Sequence, residues 1–130
     1  MPSKSRIQVL RLRAFERQGG RCCYCGVAMW STSPTELAGG SPKPSAWQLL
    51  RCTAEHLEPQ SEGGRHTAAN ISAACALCNS TRHKRKRPPE PSAYQAEVRR
   101  RMARGAWHQR WVHERGLAAG PQVVLPTGTG

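Results

Sequence analysis

Two cysteine pairs of the same form, Cys22-x-x-Cys25 and Cys75-x-x-Cys78, stand in a chain of 130 residues with 49 residues between them. In a tight knuckle a CxxC spacing lets two thiolates reach one ion at tetrahedral angles, and two such pairs make a closed four-thiolate zinc site. The gap excludes a compact finger whose ligands enclose a single helix. Whatever lies between the pairs must return to its starting point, so the metal closes a long loop and couples folding to binding. The composition needs such help: one Phe, two Tyr and four Trp leave little aromatic core, and small domains with thin cores commonly rely on a metal. Cys23 and Cys52 remain outside this pattern: Cys23, two residues from Cys25, has a poorer spacing for a knuckle, and Cys52 reads as a buried small residue on a strand.

The formal charge is +12, from 20 Lys and Arg against eight acids, all of them Glu. Residues 82–115 hold eleven Lys or Arg and three Glu. A basic block of this density suits a polyanion, because each neutralised phosphate releases counterions. No apolar stretch approaches the roughly 20 residues of a membrane span, and none follows the basic residues of MPSKSRIQVLRLRAF as a secretory signal requires. The expected compartment is therefore cytoplasmic and reducing, where cysteines favour metal over disulfides.

Residues 6–17 carry Ile7, Leu10 and Ala14 at helical steps, and Gln18-Gly19-Gly20 ends that helix. RCCYCG forms a knuckle, and the Ser-, Pro- and Gly-rich segment 31–46 an exposed loop. A strand is expected over 47–57, a turn at PQSEGG and a second strand at NISAAC. A helix then runs from the second CxxC through RHKRKR to Pro88-Pro89. Ser92 is placed to cap a further helix over 93–104 with Tyr94, Val98 and Met102 on one stripe. GAWHQRWVHERG extends it beyond Gly105, with Trp107 and Trp111 docked on the core, and 116–130 reads as a flexible tail.

A second set of polar residues lies between and after the cysteine pairs: Glu55, His56, Asn70, Asn79 and His83. Asn79 and His83 are i and i+4 on the expected helix and share a face, as a metal-ligand pair would. Glu55 and His56 are neighbours on a strand and point to opposite sides. Phosphodiester hydrolysis needs such a division, with a base that activates water on one side of phosphorus and a cation that neutralises the leaving oxygen on the other. Histidine suits the base. His66, His108 and His113 show no comparable spacing and read as incidental.

With CxxCG at 22–26, EHLEPQSEGG at 55–64, Asn70-Ile71 and Cys75-Ala-Leu-Cys78-Asn79 in this order, the chain resembles the HNH endonuclease family over roughly residues 10–87. The resemblance implies an α+β fold, a small zinc-stabilised ββα-metal (His-Me finger) unit with flanking N- and C-terminal helices. It implies a nuclease domain over 1–90 with a loop insertion at 31–46, a basic helical extension over 91–115 and a tail over 116–130. In this likeness His56 is the general base, Asn70 orients the loop and holds the base in place, and Asn79 with His83 ligates a catalytic divalent metal. Glu55 takes the place of the aspartate that often precedes the base, one methylene longer, and joins the metal ligands. Cys22, Cys25, Cys75 and Cys78 hold structural zinc. The catalytic ion is Mg²⁺ or another divalent metal such as Mn²⁺ or Ni²⁺. Arg82, Lys84, Arg85, Lys86 and Arg87 bind the nucleic acid, expected to be double-stranded DNA. The competing expectation is a non-catalytic four-cysteine zinc module that binds nucleic acid.

Overall fold

The computed structural model of the chain describes residues 4–37 and 44–126. The part of the 31–46 loop expectation that falls on 38–43, and the end of the tail at 127–130, lie outside the described residues.

Helix α1 spans Arg6–Arg17. Ser5 opens it with a capping box: its hydroxyl accepts from the Gln8 amide, and the Gln8 side chain accepts from the Ser5 amide. Leu10 and Ala14 form its buried stripe. Gly19 and Gly20, both at positive φ, turn the chain out of the helix. The CxxC knuckle follows, closed by the antiparallel bridge between Arg21 and Ala28.

The two strands, β1 at Cys52–His56 and β2 at Ile71–Cys75, pair antiparallel with Cys52 opposite Cys75 and His56 opposite Ile71. Every residue of β2 is buried, and α1 packs against both strands. Gln18, just past α1, serves β2 as a substitute strand partner. Its side-chain oxygen accepts from the Ala73 amide and its nitrogen donates to the Ala73 carbonyl. β1 is shorter than the 47–57 expected from sequence. Pro44–Leu50 winds as a 3₁₀ segment instead, which buries Trp47 and Leu50 and lets Trp30 Nε1 donate to the Trp47 carbonyl.

Helix α2, Ala76–His83, starts at the second CxxC with Cys75 as its N-cap. It ends at His83, five residues before the expected stop at Pro88, because the chain turns back to bring the Pro89 carbonyl onto Arg82. Helix α3 spans Pro91–Ala103. Glu90 is its N-cap residue, not Ser92 as expected, because Pro91 presets the first helical φ. Tyr94 and Val98 are its buried stripe. Helix α4 covers Arg110–Glu114, where Trp111 packs at 4.8 Å on Trp47. Beyond it Leu117 is buried, and the Val123 carbonyl accepts from Gln95 and Arg99 of α3. These bonds dock on the core a stretch whose composition suggests a loose tail. No helix among the described residues is long and apolar enough to cross a membrane.

Candidate active site and metal centre

The first CxxC sits in the knuckle after α1 and the second at the junction of β2 and α2. The fold brings the four sulfurs of Cys22, Cys25, Cys75 and Cys78 within 4.8 Å of one another, all buried. Tetrahedral Zn–S bonds of about 2.3 Å place sulfurs about 3.8 Å apart, and Cys25 Sγ lies 3.8 Å from Cys75 Sγ. The donor set therefore fits a metal ion. Its surroundings fit thiolates, because N–H groups point at the sulfurs. The Tyr24 and Cys75 amides donate to Cys22 Sγ, the Cys78 amide to Cys75 Sγ, and Trp107 Nε1 to Cys78 Sγ at 3.3 Å. His108 Nε2 lies 3.4 Å from Cys25 Sγ and 3.5 Å from Cys75 Sγ. Trp107 and His108 come from the connection after α3, which holds His108 at φ 67°. Sequence spacing gave no sign of either contact. Cys23 and Cys52 are buried outside the cluster.

The second constellation assembles where β1 ends and α2 passes it. Glu55 and His56 point to opposite sides, as their adjacency requires. Glu55 is fully buried. Its Oε2 accepts from Tyr24 Oη at 2.8 Å and Arg82 Nη1 at 3.0 Å, and its Oε1 lies 2.7 Å from His83 Nε2. Burial, with Glu55 alongside, raises the Tyr24 pKa, so the phenol stays a donor. Asn79 Nδ2 donates to Thr53 Oγ1 and to the Ala54 carbonyl. With the amide nitrogen spent on β1, Oδ1 is the atom left for a cation. Asn79 and His83 thus present an oxygen and a nitrogen beside a buried carboxylate, a sparse set that hard divalent ions accept with waters. Among the described residues, the four cysteines are the one cluster of three or more His, Cys or acidic groups at ligand distances.

Arg82 was expected on the nucleic-acid face and is not there. It is 1% exposed. Besides Glu55 it donates to the carbonyls of His56, Leu57 and Pro89. The guanidinium neutralises Glu55 and ties the end of β1 to the chain beyond α2. A sequence signal existed: Arg82 is i+4 from Cys78 and so shares its inward face. Lys84, Arg85, Lys86 and Arg87 are exposed, and Arg85 pairs with Glu97 at 2.9 Å.

Asn70 does not touch His56 through its side chain. Its Oδ1 accepts from the Glu58 amide, and its Nδ2 donates to the carbonyls of Glu58 and Arg65, which closes the loop between the strands. Gly64 lies inside that loop, where a β-carbon would collide with the Glu58 carbonyl. The residue that meets the His56 ring is His66, whose Nδ1 is 2.9 Å from His56 Nε2. Burial, then the neighbouring His66, lowers the His56 pKa, against the pull of Glu55.

No curated protein and no solved structure matches the chain. Residues 42–85, which take in β1, β2 and α2, match the family model described as HNH endonuclease.

Proposed function

We propose that the protein is a metal-dependent endonuclease that hydrolyses DNA phosphodiester bonds, with His56 as general base. The observation that carries this reading is the juxtaposition of His56, at the end of β1, with Asn79 and His83 on α2. Asn79 Nδ2 donates to the Ala54 carbonyl of β1, and His83 Nε2 lies 2.7 Å from the carboxylate of Glu55, the residue next to His56. Zinc at Cys22, Cys25, Cys75 and Cys78 fixes the start of α2 and so the direction of both α2 residues. Asn79 and His83 would hold the second cation, Mg²⁺ or Mn²⁺ by the hardness of the oxygen donor and its waters, while Glu55, expected among the ligands, is buried with its oxygens on Tyr24, Arg82 and His83 and orients His83 instead. When bound there, the cation would supply positive charge to the phosphate and the leaving oxygen.

His56 takes a proton from the attacking water at a ring nitrogen. Its lowered pKa keeps the imidazole neutral, hence basic, near neutral pH. Glu55, held by Tyr24 and Arg82, fixes the ring of His83. Asn70 closes the loop behind the base. Lys84, Arg85, Lys86 and Arg87 supply the phosphate contacts that position a duplex.

Plasmid nicking with Mg²⁺ or Mn²⁺ tests the assignment. His56→Ala should lower the rate by about 10²- to 10⁴-fold, the usual worth of a general base. Equal rates for variant and wild type refute it. The four cysteines also favour a second reading, a non-catalytic zinc module that binds nucleic acid. One metal per chain with DNA bound, and no cleavage in any divalent ion, would select that reading.

A further inference from the structure

His66 is an exposed residue on the loop between β1 and β2, yet its place is fixed. Its carbonyl accepts from Arg6 Nε of α1 at 3.2 Å. The carbonyl before it, on Arg65, accepts from Asn70 Nδ2, and the Thr67 carbonyl after it accepts from the Asn70 and Ile71 amides. These anchors bring His66 Nδ1 to 2.9 Å from His56 Nε2, with ring centroids 5.0 Å apart and planes tilted by 51°.

Two ring nitrogens at that distance share one proton, so one donates and the other accepts. If His66 donated, His56 Nε2 would spend its lone pair on the bond and Nδ1 would carry the remaining hydrogen. A neutral His56 in that form has no nitrogen free to take a proton from water. If His56 Nε2–H donates, the Nδ1 lone pair stays available. We infer that His66 is a positioning residue that accepts the His56 Nε2–H at its Nδ1, fixing the ring and the tautomer in which Nδ1 of His56 is the base. In the balance, water gives one proton to His56 Nδ1 and its oxygen bonds to phosphorus, while the P–O bond to the leaving oxygen breaks and that oxygen takes a proton from solvent water. The imidazolium keeps its Nε2–H on His66. The inference rests on the general-base reading above. It assigns to His66 the hold on the base that the family likeness had assigned to Asn70.

Substitution separates this role from a structural one. His66→Ala removes the acceptor. His66→Asn restores one, because Asn Oδ1 is the same number of bonds from the backbone as His Nδ1. In single-turnover nicking by the zinc-loaded full chain at fixed Mn²⁺, His66→Ala should lose about 10-fold in kcat, the scale set by partners that orient a reactive histidine. KM should not move. Added imidazole and the Asn substitution should each recover part of the loss. In ¹⁵N spectra of the neutral rings, His56 should be the Nε2–H tautomer in wild type and His66→Asn, and a mixture in His66→Ala. A wild-type His56 in the Nδ1–H form, or an unchanged kcat in His66→Ala while His56→Ala is inactive, overturns the inference. His56→Ala cutting at the wild-type rate overturns the base reading instead, and the tautomer spectra still test the contact.

Discussion

Arg82→Met tests whether this arginine is a buried clamp or a phosphate contact. Methionine keeps the aliphatic bulk and deletes the guanidinium. Glu55 then loses its cation in a position with no solvent access, and the carbonyls of His56, Leu57 and Pro89 lose a donor. Removing one partner of a buried ion pair costs about 3–5 kcal/mol, because the other charge is left uncompensated. With a urea m-value of about 1.5 kcal/mol/M, the unfolding midpoint should fall by about 2–3 M. The measurement is urea unfolding of holo protein at one fixed free zinc concentration, so that metal linkage is common to all variants. Glu55→Gln removes the stranded charge, so the double variant should be less destabilised than the sum of the single ones. The coupling should lie near the upper end of about 0.5–3 kcal/mol found for touching groups. A midpoint for Arg82→Met within about 0.5 M of wild type, with weakened DNA binding as its one defect, would refute the clamp and restore Arg82 to the nucleic-acid face.

Further outcomes follow from the same geometry. A strong chelator should lower the thermal midpoint sharply and cost helix signal, since the cysteines anchor the start of α2; a melt insensitive to chelation would contradict the metal site. Trp107→Phe should speed metal release to a chromogenic chelator several-fold, because Cys78 Sγ loses its indole donor, and an unchanged rate would deny that bond any role. Replacing Lys84, Lys86 and Arg87 by Ala should flatten the salt dependence of DNA binding by about 0.9 for each phosphate no longer neutralised, whereas the same slope would place the interface elsewhere. The acid limb of kcat/KM should lie below the ordinary imidazole value of about 6.5, because His56 has a lowered pKa and stays neutral as pH falls past that value. By linkage, the folded state gives up a little stability as pH drops through the unfolded value, where the unfolded chain gains the proton first.

The parts of the fold legible in the sequence are those written in local chemistry. The Leu10–Ala14 stripe and the paired glycines lie within one stretch and state the buried face and the C-terminal end of α1. The CxxC repeat states that two distant knuckles meet. What escaped is held by partners far apart in the chain. His108 reaches Cys25 across 83 residues, and His66 reaches the base through a loop closed by Asn70 and by Arg6. Neither has a periodicity to betray it. Arg82 was misassigned for a different reason. It opens a basic run, and composition gives every member of such a run the same solvated role, while helical phase gives this one residue the inward face of Cys78.

That phase explains why one short helix serves two sites. Eight residues are too few for a helix that stands alone in water, so α2 must be held at both ends. Cys75 and Cys78 hold its first turn to the knuckle 50 residues upstream. Arg82 holds its last turn, bonded to Glu55 on one side and to the Pro89 carbonyl on the other. Asn79 and His83 lie one residue further round than Cys78 and Arg82, about 100° by helical geometry, so the two anchors fix the azimuth of the reactive pair as well as its height. Loss of either anchor should therefore misplace His83 while much of the chain is still folded. Activity should fall at lower urea than the far-ultraviolet helix signal, and by more in Arg82→Met than in a surface variant of equal stability.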